Sequence, residues 1–101
     1  MSGFVFHPEA YRDLEEIWEY INADSRDAAD RVLDQIEEAI RSLVRFPRMG
    51  HSRPDLSSTL RFYPVGNFVI VYAPERPLIV IAVLHSHRSP RIIAAVLRER
   101  T

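Results

Sequence analysis

Three histidines and four arginines carry most of the chemistry open to this sequence, and they fall in two groups. Arg48, His51 and Arg53 sit in FPRMGHSRPDLSST, from Phe46 to Thr59; His85, His87 and Arg88 close the segment VLHSHR, with Arg61 between the groups. Cutting a phosphodiester through a neighbouring hydroxyl needs a proton acceptor, a donor for the leaving oxygen and fixed cations for the charge on phosphorus. Histidine is the residue type for the first two tasks and arginine for the third. On that inventory the candidate catalytic set is His51, Arg53, Arg61, His85, His87 and Arg88. The same residue types also suit a surface that holds an anionic partner without reacting with it, and for that role the set is Arg48, His51, Arg53, Arg61, His87 and Arg88. His85, at the end of an apolar run, reads more plainly as a structural histidine. Two histidines at i,i+2 do not make a metal site, so neither a metal nor a cofactor is expected. All basic residues other than histidine are arginine, so any cation at a site is permanently charged, able to clamp phosphate but poor at moving protons.

The elements that position these residues lie chiefly between Leu60 and Arg88. Phe68 to Ala73 and Leu78 to Leu84 are short runs of β-branched, aromatic and aliphatic residues bounded by proline or glycine. Pro64-Val65-Gly66-Asn67 and the stretch Pro74 to Pro77 read as hairpin connections, which gives an antiparallel β-meander of three strands. Strict alternation in the last strand sends Leu78, Val80, Ala82 and Leu84 to one face and Ile79, Ile81 and Val83 to the other, with His85 following Ile81 and Val83. Both faces are apolar and must be covered. One helical layer can cover one of them, so the other needs the C-terminal segment or another chain. Arg61 and Tyr63 share a strand face, where they could stack on a base and hold its phosphate.

Ahead of the meander, Val5 and Phe6 close a short first strand, and Pro8 stands at the first position of a helix. The stripe Ala10, Leu14, Ile17, Trp18 and Ile21 makes this helix amphipathic and sends Trp18 toward the core. Asp24 or Ser25 caps a second helix with the stripe Ala29, Val32, Leu33, Ile36, Ile40, Leu43 and Val44, ended by Pro47. The short break between them predicts a helical hairpin laid on the sheet. Residues 46–59 read as a loop, and Ser89-Pro90 opens a short terminal helix with Ile93, Val96 and Leu97 on one face. The fold class is therefore α+β, as a single domain over residues 1–101.

Composition narrows the function. No apolar run approaches the length that spans a bilayer, the beginning Met1-Ser2-Gly3-Phe4 lacks a secretion leader, and cysteine is absent, so the expected setting is the cytoplasm, with no membrane partner and no thiolate chemistry. Residues 1–40 hold eleven acids and three arginines, and residues 41–101 hold ten arginines and three acids. A net charge of −1 thus conceals a chain with an acidic and a cationic half, the latter suited to a nucleic acid or an acidic peptide.

In their order along the chain these features resemble the RelE/ParE superfamily of bacterial type II toxin-antitoxin toxins. The residues that carry the resemblance are Asp13-Leu14-Glu15-Glu16-Ile17-Trp18-Glu19-Tyr20-Ile21, Leu43-Val44-Arg45-Phe46-Pro47, Met49-Gly50-His51-Ser52-Arg53-Pro54-Asp55-Leu56, the strand with Arg61, and Val83-Leu84-His85-Ser86-His87-Arg88. Loop and final strand look most like the ParE branch. The resemblance implies a toxin whose sheet and helical hairpin form a groove for the C-terminal segment of a cognate antitoxin, with Trp18, Ile79, Ile81 and Val83 as antitoxin-binding residues in a toxin-antitoxin hetero-oligomer. It also implies growth arrest by inhibition of DNA gyrase. The alternatives are ribosome-dependent cleavage of messenger RNA, as in the RelE branch, and a toxin-like binding protein without a cellular target. RelE-type nucleases often carry an aromatic or acidic residue near the chain's end; here the tail after Arg88 has no tyrosine or histidine.

Overall fold

The helical hairpin forms where capping residues and apolar stripes call for it. In the structure, a computed structural model that describes residues 3–101, the order is strand β1 (Phe4–Phe6), helices α1 (Pro8–Asn22) and α2 (Arg26–Arg45), and strands β2 (His51–Ser52), β3 (Arg61–Val65), β4 (Phe68–Ala73) and β5 (Leu78–His85). Helix α3 (Pro90–Arg100) follows. Met1 and Ser2, where a leader would begin, lie outside the described residues. His7 caps α1 by accepting the Glu9 N–H on its ring Nδ1 at 3.1 Å, and Pro8 fills the first turn, where its missing N–H costs nothing. Ser25 caps α2 through the Ala28 N–H at 3.1 Å, and Ser89 caps α3 through the Ile92 N–H at 3.3 Å.

The strands form one sheet in the order β1-β5-β4-β3-β2. The meander β3-β4-β5 is antiparallel as expected, whereas β1 runs parallel to β5, with Phe4, Val5 and Phe6 opposite Leu78, Ile79 and Val80. Gly66, with φ +58, is the first central residue of the two-residue β3-β4 loop and Asn67 after it does not have positive φ, the sign pattern of a type II′ turn. Pro64 lies inside β3, one step further than its reading as a turn residue. β2 pairs only with Arg61 and Phe62, so β3 is an edge strand at Pro64, where a missing N–H is tolerated. Residues 46–59 are a loop except for β2 itself, which the sequence reading did not separate.

Both faces of the sheet are covered by the chain itself. On one face Leu14, Ile17, Ile36, Ile40 and Leu43 of the hairpin pack on Ile70, Tyr72, Leu78, Val80 and Val83. On the other, Ile93 and Leu97 of α3 pack with Leu60 on Phe62, Val71, Ala73, Ile81 and Leu84. The terminal helix therefore supplies the second layer, and the apolar strand by itself gives no reason to require a partner.

The alternation predicted for β5 breaks in its middle. Val71 pairs with Ala82 but Tyr72 pairs with Val80, which leaves Ile81 as the extra residue of a β-bulge. Ile79, Ile81, Ala82 and Leu84 consequently belong to the α3 face, and Val83 crosses to the hairpin face. Ile81 is 5% exposed and Val83 2%, while Ile79 is half-buried. The expectation that Ile79, Ile81 and Val83 share one face is corrected: Val83 lies apart from the other two, and Ile81 and Val83 are core.

Side chains stabilise the bulge. One Asp13 carboxylate oxygen accepts the Val83 N–H at 3.0 Å, and Arg100 donates to the Ile81 carbonyl at 3.0 Å. Arg100 also forks onto Asp13 at 2.6 and 3.0 Å, so one ion pair from α1 and α3 replaces the neighbouring strand that β5 lacks beyond β1. This bond is the main reason that the Arg100 guanidinium is held protonated above its already high ordinary value.

Candidate functional site

The cationic loop is fixed from below by one tyrosine. Tyr72, fully buried on β4, donates its hydroxyl to the Pro47 carbonyl at 2.7 Å and accepts the Gly50 N–H at 2.9 Å. Gly50 must be glycine for this approach, since a Cβ there would lie 2.5 Å from the hydroxyl oxygen. Arg61, opposite Tyr72 on β3, donates to the carbonyls of Gly50 at 3.1 Å and Arg48 at 3.3 Å. Desolvation is the largest cause of a raised Tyr72 pKa, partly countered by its hydrogen bond with Gly50 and by the charge of Arg61. Arg61 is thus half-buried and occupied as a loop clamp, a role that its position off any apolar stripe did not reveal. Tyr63, also half-buried, packs against the hairpin-side core.

Above this lock stand exposed Arg48, His51 and Arg53. Arg53 forms a two-bond pair with Asp55 at 3.0 and 2.7 Å. That hydrogen bonding raises the pKa of Arg53 and lowers that of Asp55, and both groups face solvent. His51 pairs with Phe62 across β2 and β3, which puts it on the α3 face of the sheet. There His51, Arg53 and Ser86 rim a small apolar pocket of about 250 Å³ over Phe62, Val69 and Ile93.

The second candidate group goes elsewhere. His85, half-buried at the end of β5, lies on the hairpin face against Phe68, with ring centroids 4.7 Å apart, and 6.2 Å from the ring of Tyr20. Arg88 lines the same depression as His85, Glu16 and Arg100, while His87 is exposed in the turn before α3. The sequence-predicted residues are therefore divided: His51 and Arg53 share the α3 face, Arg61 holds the loop from the hairpin side, and His85 packs against rings on that side at the far end of β5. Among the described residues no group of three or more His, Cys, Asp or Glu is placed to hold a metal ion.

A third feature lies in the acidic half. Between β1, α1 and α2 runs a groove of about 460 Å³ with a floor of Phe4, Phe6, Leu14 and Leu33. Tyr11 and Trp18 wall it, and Glu15, Glu19 and Glu37 line its rim. Trp18 is half-buried rather than core, because its indole N–H reaches out to Asp30 on α2 at 2.8 Å and its ring faces the groove.

Comparison with known proteins now decides the family. The family model described as "ParE toxin of type II toxin-antitoxin system, parDE" matches residues 4–90, from β1 to the start of α3. The chain belongs to this ParE toxin family. It is also similar to a curated protein of Sinorhizobium fredii (strain NBRC 101917 / NGR234) named "Putative toxin Y4kP", with 32% identity over 87 residues, 83% of this chain and 88% of that protein. The chain is thus the toxin of a type II toxin-antitoxin system, and membership of the ParE family implies a cognate antitoxin as its partner. In this ParE toxin the matched span contains the loop lock, the acidic groove and every candidate residue of both groups.

Proposed function

We propose that this ParE-family toxin arrests growth by binding and inhibiting DNA gyrase in the cytoplasm, and that it does so without cutting nucleic acid. The observation that carries this reading is the division of the titratable and cationic groups between the two faces of the sheet. General acid-base cleavage needs donor, acceptor and phosphate clamp around one scissile bond, within hydrogen-bond reach. Here His51 and His85 face opposite sides, and Arg61, on the same face of β3 as Tyr63, is already engaged with two backbone carbonyls. A surface that binds needs no such convergence, and the fixed loop bearing Arg48, His51 and Arg53 suits a protein or nucleic-acid surface of opposite charge.

The antitoxin, on this reading, occupies the groove between β1, α1 and α2. Its segment there folds on binding and makes the neutralised complex a hetero-oligomer. Trp18 is the antitoxin contact that the geometry supports; Ile81 and Val83 are closed off by the chain's own helices. No helix among the described residues is long and apolar enough to cross a membrane.

The test is the set of single substitutions His51→Ala, His85→Ala and His87→Ala, with the folded fraction of each measured first because His85 packs against Phe68 and Tyr20. A nuclease that loses its proton-transfer group drops roughly 10²- to 10⁴-fold in rate. The expected result is growth arrest kept within a few-fold by each folded single variant, since a binding surface tolerates the loss of any one histidine. Loss of arrest, together with cleavage of ribosome-bound message by the parent only, would establish the nuclease instead.

A further inference from the structure

The groove between β1, α1 and α2 carries information about the chemistry of its occupant. Its floor is a run of aromatic rings: Phe4 meets Phe6 edge-on at 5.4 Å, and Phe6 meets Tyr11 at 6.2 Å. Tyr11 is 59% exposed and lines the groove. No arginine lines the groove, and all its residues come from the acidic half of the chain. Of its three carboxylates, Glu37 makes only a loose contact of 3.5 Å with Arg41, and among the described residues neither Glu15 nor Glu19 has an ion-pair partner. Trp18 is held by Asp30 with its ring toward the space between them. An apolar trough with aromatic walls and uncompensated carboxylates along its rim attracts a cation twice over, by direct charge and by the negative face of the rings.

We infer that the segment seated in this groove is a cationic amphipathic one, with aliphatic or aromatic anchors on the Phe4-Phe6 floor and at least one arginine or lysine between Trp18, Glu15 and Glu19. This rests on the reading of the groove as the antitoxin's seat and adds what the antitoxin brings to it. An acidic segment would set like charges against Glu15, Glu19 and Glu37, so the groove discriminates by repulsion as well as by attraction. The cationic loop on Arg48, His51 and Arg53 selects the opposite charge, which lets one small toxin keep antitoxin and target apart.

Trp18 is the single tryptophan of the chain, so intrinsic fluorescence reports on the groove directly. The probes are two synthetic amphipathic peptides with the same leucine pattern and no tryptophan, one with arginine at every charged position and the other with glutamate. The arginine peptide should shift Trp18 emission saturably and the glutamate peptide should not. Glu15→Gln/Glu19→Gln/Glu37→Gln should weaken the arginine peptide about 10-fold or more, while Asp34→Asn/Glu38→Gln, which removes acids outside the groove, should leave it within about 2-fold. Equal response to both peptides, no response to either, or equal loss in the two variants would overturn the inference. A parallel titration uses the cognate antitoxin, with any tryptophan it carries replaced by phenylalanine. If that protein binds while Trp18 emission stays unchanged, the groove is not the antitoxin's seat and the reading beneath this inference fails. If it shifts Trp18 but is indifferent to the groove variant and to salt, the seat stands and the cationic chemistry is wrong.

Discussion

At the scale of single residues, Tyr72 does more for the candidate target surface than the exposed cations that advertise it. Its hydroxyl and the Arg61 guanidinium together hold Pro47, Arg48 and Gly50, which ties the loop to β3 and β4. Arg61→Ala removes two bonds from a charged donor at a half-buried position and should cost about 1–2 kcal/mol, a fall of about 5–10 °C in Tm. Arg53→Ala removes only a solvent-facing pair with Asp55 and should leave Tm within about 2 °C. Equal effects from the two substitutions would show that the lock is not structural. Because burial raises the folded-state pKa of Tyr72, its contribution is complete below the ordinary phenol value near 10 and is lost as pH rises through the folded pKa. Protection of the amides over residues 46–59, relative to their base-catalysed intrinsic rates, should fall in that alkaline window in the parent, and Tyr72→Phe should show low protection there already at neutral pH. His51, Arg53 and Arg48 were legible as candidates from residue type alone. The second role of Arg61 was not, because its acceptors are backbone carbonyls, which every residue has, placed by a fold that brings Arg48 and Gly50 beside β3.

At the scale of elements, the helical hairpin, the meander and the terminal helix were legible because caps, prolines and apolar periods agreed with one another. The bulge in β5 was not. A slip of one residue is visible in a strand with one polar face, but Leu78 to Leu84 is apolar throughout, and either register buries the same kind of side chain. What selects the bulge is Asp13 with Arg100, 87 positions apart and reaching the edge from two helices. Their side chains are 13% and 12% exposed, and removing one leaves the other charge without its partner next to an unpaired backbone group. Asp13→Ala should therefore cost about 2–3 kcal/mol, a discount on the range for fully buried pairs. Asp13→Ala/Arg100→Ala should cost clearly less than the two single changes added together, as a double-mutant cycle on urea unfolding would measure. Freed of its plug, the edge at Ile81 to Val83 should also pair with other chains, so Asp13→Ala should associate more readily than the parent in light scattering. Additive losses without new association would mean that the ion pair merely accompanies the bulge.

At the scale of the whole molecule, the acidic and the cationic half of the chain present separate surfaces. The acids rim the groove of β1, α1 and α2, and Arg48 and Arg53 stand on the loop beyond Pro47. The need for a partner was read from the doubly apolar strand, but α3 meets that need; the groove, which no apolar count reveals, is an open surface. Family membership supplies the antitoxin as partner, and the division of the histidines between the two faces supports a toxin that binds its target. The most direct measurement is supercoiling of relaxed plasmid by purified gyrase with the toxin added, beside cleavage of ribosome-bound message by the same preparation. The account predicts dose-dependent loss of supercoiling, restored by antitoxin, and intact message. Normal supercoiling with cut message would contradict it.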